Sequence, residues 1–192
     1  MRSIFTLILT ILIATAATAQ QGYDIKIKID GFQEEEMYLG YFYADKQYLR
    51  DTVQKNSEGY FNFKNEEALP AGVYLVLLPP DNQWFQVLVD EGEQAFTIET
   101  AFPDLAGNVK VTGSKDNQLL YEYLDFLNQQ RPASEELNGQ LKTAREAGGN
   151  TEEIVKQLEA INQKVMDYQG NLVKKHPNTL TAALVKANMP LD

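Results

Sequence analysis

Cysteine is absent from all 192 residues, and histidine occurs once, at position 176. The first absence excludes disulfide staples, thiolate metal sites, thiol exchange and a lipid anchor on cysteine. The second leaves His176 without a ring partner for a metal site or a catalytic triad. Basic clusters are missing too: 17 Lys and Arg stand against 27 Asp and Glu, a net charge of −10 at pH 7. Such a surface repels phosphate backbones and anionic lipid, so no nucleic-acid binding is expected. The apolar run at residues 4–13 is too short to span a bilayer as a mature helix.

That run follows Arg2 and precedes Ala17-Thr18-Ala19, the small-x-small pattern of a signal peptidase site. Residues 1–19 are therefore expected to be an export signal cleaved near Ala19. The mature chain would begin at Gln20, in the periplasm or outside the cell, without a stable membrane anchor. Lacking disulfides, it must be held by buried apolar area, at about 25 cal/mol per Å². An aromatic content of 10% makes that feasible.

From Tyr23 to about Val111 apolar residues recur at every second position, the period of a strand. In GYDIKIKIDG, Tyr23, Ile25, Ile27 and Ile29 share one face, Asp24, Lys26 and Lys28 the other, and Asp30-Gly31 turns the chain. MYLGYFY, QYLRDTVQ, NSEGYFNFK, PAGVYLVLLPP, QWFQVLVD and QAFTIET continue the pattern between Gly, Pro, Asn and Asp breaks. Asp90-Glu91-Gly92-Glu93 reads as a hairpin turn with Gly92 at positive φ, and Pro79-Pro80 should end a strand.

After Gly113 the period becomes helical. Ser114 should cap LLYEYLDFLNQQ, Pro132 should interrupt that helix, and Ser134 should cap a second one carrying Leu137, Leu141 and Ala144. Gly148-Gly149 breaks it, and Asn150 with Glu153 has capping-box spacing for a third. There Ile154, Leu158, Ile161, Val165, Tyr168 and Leu172 step by four and three, the stripe of a helix lying antiparallel on a partner. Lys174, Lys175 and His176 suit its C-terminal end, Pro177 stops it, and a short helix spans residues 179–187. Self-association through the stripe is the alternative to internal packing; the short breaks favour packing within the chain and a monomer.

In this order GYDIKIKIDG, YLGYFYADKQYLRDTV, EGYFNFK, LPAGVYLVLLPP, FQVLVDEGEQAFTIET and VTGSKDNQLLYEYLDFL resemble the uncharacterised N-terminal domain of exported thioredoxin-like, thiol-disulfide oxidoreductase proteins of Gram-negative envelopes. The remainder, through KKHPNTLTAALVKA, is similar to the linker joining that domain to the thioredoxin fold. The resemblance covers nearly all of residues 22–188. It implies the accessory half of a two-part protein, either free-standing or cut off before a thioredoxin domain. No redox residue carries over, because no CxxC pair is present.

Single residues suggest little chemistry. His176 reads as a helix-end residue. Ser57, Ser114 and Ser134 read as a turn and two caps, outside any G-x-S-x-G setting. Glu34-Glu35-Glu36 reads as a solvated turn, and Asp90, Glu91 and Glu93 lack the organised oxygens of a calcium loop. No catalytic residue, cofactor or metal is expected. The aromatic run is the candidate contact surface: Tyr41 and Tyr43 share a face with Leu39 and point inward, whereas Tyr38 and Phe42 share the other with Gly40. Tyr38, Phe42 and Trp84 are thus the residues expected to meet a protein partner or, alternatively, a sugar ring.

The expected fold is α+β. Residues 20–112 form an antiparallel β-sandwich, of the transthyretin-like kind suggested by EGYFNFK followed by LPAGVYLVLL. Residues 113–192 form an antiparallel helical hairpin or small bundle. The expected function is that of a non-catalytic envelope module that binds or positions a protein partner, a thioredoxin-like domain. A stand-alone glycan-binding sandwich is the alternative.

Overall fold

The computed structural model describes residues 22–43, 45–81 and 83–190, except the side chain of Tyr43. The export signal read in residues 1–19 lies outside them. Eight strands come first: β1 (Asp24–Asp30), β2 (Glu36–Tyr43), β3 (Lys46–Gln54), β4 (Phe61–Lys64), β5 (Gly72–Leu78), β6 (Gln83–Val89), β7 (Ala95–Ala101) and β8 (Lys110–Thr112). Three helices follow, α1 (Lys115–Glu146), α2 (Glu152–Lys175) and α3 (Leu180–Ala187). The fold is α+β. One sheet has the order β4-β1-β7-β8 and the other β3-β2-β5-β6.

The alternation in sequence dictates how the sheets meet. Tyr23, Ile25, Ile27, Ile29, Phe61, Phe63, Phe96 and Ile98 of the first sheet share one core with Met37, Leu39, Tyr74, Val76, Leu78, Phe85, Val87 and Val89 of the second. β5 ends at Leu78, before Pro79, as proline chemistry requires. Two expectations change. The sandwich is not wholly antiparallel, because β1 pairs with β7 in parallel, Asp24 opposite Ala95. No tight turn joins these strands, so nothing imposes the antiparallel sense. Nor do β6 and β7 form a hairpin, since they belong to different sheets. Their turn is closed by Asp90, whose carbonyl accepts from Glu93 N at 3.1 Å and whose Oδ2 accepts from Gly92 N at 3.2 Å, and not by a positive φ at Gly92.

Helix α1 is one element of 32 residues, about 48 Å long. Pro132 lies inside it, Ser134 caps nothing, and the expected break is absent. Proline costs a helix its i−4 bond, but Pro132 is exposed, so water can serve the freed carbonyl. Apolar positions persist beyond it, with Leu137 half-buried and Leu141 buried. Helix α2 begins one residue later than the capping-box spacing implies: Thr151 is the N-cap, and Asn150 Oδ1 accepts from Glu152 N at 2.9 Å. Near the sheets Phe126 stacks on Tyr168 with ring centroids 4.1 Å apart, and Gln169 Nε2 donates to Tyr123 Oη at 2.7 Å.

The junction of helices and sheets explains the polar string GSKDN. Ser114 Oγ accepts from Asn117 N at 3.0 Å and donates to Glu93 Oε2 at 2.6 Å, while Glu93 also accepts from Lys115 N and Asp116 N. A carboxylate thus sits on the positive end of α1. Buried Asn117 accepts from Leu88 N at 2.8 Å and donates to Leu88 O at 2.7 Å. Asp116 Oδ1 accepts from Thr181 N at 2.7 Å, and Thr181 Oγ1 donates to Asp116 O at 2.7 Å, which fastens α3 to the start of α1.

Tyr121 completes the junction by donating to Gln86 O at 2.7 Å. Burial pushes its hydroxyl well above the usual tyrosine range. The neutral phenol therefore contributes stability that is complete below a pH of about 10 and is lost as pH rises toward the folded value. Tyr121→Phe is expected to cost about 1 kcal/mol at neutral pH. Its urea midpoint should also fall less than that of the parent chain between about pH 9 and about pH 11. Parallel declines of the two midpoints would refute this assignment.

Candidate contact face

The two sheets turn different surfaces outward. On β4-β1-β7-β8 the outer positions include Lys26, Lys28, Asn62, Lys64, Thr97 and Glu99, and several satisfy one another. Lys64 pairs with Asp24 at 3.1 Å, Tyr60 Oη donates to Glu99 Oε1 at 2.6 Å, and Lys28 Nζ lies 5.4 Å from the Tyr60 ring centroid. This face is solvated and polar.

The outer face of β3-β2-β5-β6 carries a band of apolar side chains among Glu36, Gln47, Thr52, Gln54 and Gln86. Register places Tyr38 beside Leu77 and Leu77 beside Trp84, a row across three strands. In the next row Gly40 lies between Leu49 of β3 and Leu75 of β5. Phe42, opposite Gln47, extends the face toward the β2–β3 turn. Phe42, Leu49 and Trp84 are 51%, 63% and 50% exposed. Structure therefore places all three sequence candidates, Tyr38, Phe42 and Trp84, on one sheet face, while Phe85 next to Trp84 points into the core.

Gly40 makes the face concave. A Cβ there would lie 2.9 Å from Leu77 Cδ1 and 3.1 Å from Tyr48 O, so only glycine leaves the notch open. The resulting cavity of about 210 Å³ is lined by residues that include Tyr38, Gly40, Gln47, Leu49, Leu75 and Leu77. At its rim Tyr38 Oη donates to Glu36 Oε2 at 2.8 Å. That hydrogen bond, helped by partial desolvation and by the charge of Glu36, raises the Tyr38 pKa above its ordinary value. The other Glu36 oxygen accepts from Gln54 Nε2 at 2.7 Å, so this end of β2 is held to β3.

Tyr41 is half-buried against the core as alternation requires, with its ring stacked on Tyr48 at 5.7 Å; the side chain of Tyr43 lies outside the described residues. Sequence reasoning did not select Leu49 or Leu77. Tight-hairpin register from Tyr43 and Lys46 would have placed Leu49 opposite Gly40. Beyond that pair, a bulge between Leu39 and Gly40 leaves Arg50 unpaired in the register and re-aims β3, so Asp51 reaches inward and accepts from Tyr23 Oη at 3.0 Å.

The remaining chemical candidates hold structural positions. Glu93 serves the N-terminus of α1. His176 caps α2, donating its backbone N–H to Leu172 O and accepting from Thr179 N. Among the described residues no helix is long and apolar enough to cross a membrane.

A family model described as a domain of unknown function, DUF4369, matches residues 23–120, all eight strands and the first turns of α1. The chain belongs to that family. No curated protein and no solved structure matches it. The matched span of this DUF4369 chain contains the apolar outer face and the Glu93–Ser114–Asn117 junction, whereas the hairpin formed by the rest of α1 and by α2 lies beyond it.

Proposed function

We propose that this DUF4369 chain is a non-catalytic, exported binding module of the cell envelope that docks a protein partner, a thioredoxin-like domain, on its β3-β2-β5-β6 face. The observation that carries the reading is that the exposed apolar side chains Phe42, Leu49 and Trp84 lie on one sheet face, Leu49 lining the Gly40 notch, opposite a sheet whose outer face is polar. Aromatic anchors around a concavity are what protein interfaces use as energetic centres. The order of strand motifs, the export pattern of residues 1–19 and the lack of cysteine support a partner that carries the thiol chemistry itself. A glycan would need hydrogen-bonding groups beside the rings. The floor here is Leu75 and Leu77, but Gln47 lines the same cavity and Tyr38 Oη with Glu36 stands at its rim, so a sugar is the reading the test must exclude.

The test is a photo-reactive residue placed at Trp84, Phe42 or Lys26 of the full chain in living cells. Adducts to a thioredoxin-like domain are expected from positions 84 and 42 and not from 26, which lies on the polar sheet. Equal labelling from all three, or none from 84 and 42, would overturn the proposal. So would a strong response on a glycan array abolished by Trp84→Ala.

A further inference from the structure

The two edges of the apolar sheet are treated differently. β6 is covered: Asn117 bonds both backbone groups of Leu88, and Tyr121 bonds Gln86 O. β3 closes the opposite side of the strand order, and no strand lies beyond it among the described residues. An edge strand of nine residues is a template for another chain unless it is blocked.

Blocking is confined to half of it. Beyond Arg50 the edge is guarded: Thr52 N donates to Asp51 Oδ1 at 2.8 Å, and just past Gln54 the chain bridges to β4, Lys55 opposite Phe61. From Lys46 to Arg50 all five residues are exposed, none is proline, and the bulge at Arg50 separates them from the guarded half. Within this open half Leu49 belongs to the apolar outer face, and Tyr48 lies on the inner side against Tyr41. A strand laid beside it would cover apolar surface on both sides and drop a side chain next to the Gly40 notch. The charge is selective as well. Lys46 and Arg50 flank Gln47-Tyr48-Leu49; Arg50 reaches Glu67 at 3.9 Å, which leaves Lys46 as the cation at the open end, in a chain whose net charge is −10.

We propose that the partner of this face, which rests on the docking reading above, contributes an extended peptide segment that adds as a fifth strand to the Lys46–Arg50 half of β3. The segment carries alternating apolar side chains and at least one carboxylate near an end. Main-chain hydrogen bonds to β3 would supply affinity, and the notch and Lys46 would supply selection. Its complement is a strand-forming peptide, because the groups an edge strand leaves open are those of a sheet ladder.

Random peptides displayed on phage and selected against the full folded chain test this. Enriched peptides are expected to alternate apolar residues and to carry acidic ends. On binding they should slow amide exchange at residues 46–50 by about tenfold or more, while residues 26–28 of the opposite sheet are unchanged. N-methylation of the peptide at every second amide should weaken binding by about tenfold, and methylation at the intervening amides by less than about twofold. Peptides that depend on Trp84 but leave exchange at 46–50 unaltered would overturn strand addition while leaving the docking face in place. Failure to enrich any peptide, or equal sensitivity to both methylation patterns, would overturn it as well. Loss of the crosslinks at 84 and 42 together with protected residues 46–50 would sink the thioredoxin-like partner and keep the strand.

Discussion

Asn117→Ala is expected to destabilise the chain by about 3 kcal/mol, since two buried backbone groups lose their partner at about 1 to 3 kcal/mol each. The side chain is 0% exposed and replaces a neighbouring strand for Leu88, accepting from its N–H and donating to its C=O. Nothing smaller reaches both. Asn117→Asp keeps the shape but removes the donor and places an anion against the Leu88 carbonyl, so its loss should be at least as large. Urea denaturation gives the value directly, and a thermal midpoint lower by roughly 6 to 12 °C should accompany it. A loss below about 1 kcal/mol for both variants would mean that water or a shifted α1 satisfies the edge, and the junction would lose the role assigned to it.

The second large effect concerns binding and not stability. Trp84→Ala combined with Phe42→Ala is expected to weaken capture of the partner by about 100-fold or more, because interface anchors of this type each contribute about 2 kcal/mol or more. Both side chains are about half exposed, and each replacement alone should leave the urea midpoint within about 0.5 kcal/mol of the parent. Titration against the crosslinked partner, once isolated, measures the first quantity. Unchanged affinity with unchanged stability would remove Trp84 and Phe42 from the interface.

Much of the fold was legible because alternation is enforced by burial. Ile25, Ile27 and Ile29 face the core in the order the sequence gives them, and all seven apolar runs became strands. β8 has three residues, too few to show a period. What could not be read depended on partners distant in the chain. The parallel pairing of β1 with β7 has no local signal, and the Arg50 bulge shifts register without altering composition. Pro132 misled for a different reason: intrinsic preference argues for a stop, but the helix continues and the apolar positions resume beyond it, at Leu137 and Leu141. The contact face was half legible. Tyr38, Phe42 and Trp84 could be assigned outward by parity, but Leu49 and Leu77 joined them only through cross-strand register.

The central place of β1 also imposes an order in time. Among the described residues it is the first strand to be made, yet it lies between β4 and β7, and Asp24 must wait for Ala95 before its parallel neighbour exists. Strands β2 with β3 and β5 with β6 can close as they emerge, each beside a sequence neighbour. Until β4 is made Ile25, Ile27 and Ile29 stand on a strand with two open edges, and until β7 is made on one with a single open edge, the condition under which a growing chain is prone to pair with the wrong neighbour. The slow closure is thus carried by β1, and any factor that shields it while the rest is completed would govern the yield of folded protein more than it governs its final stability.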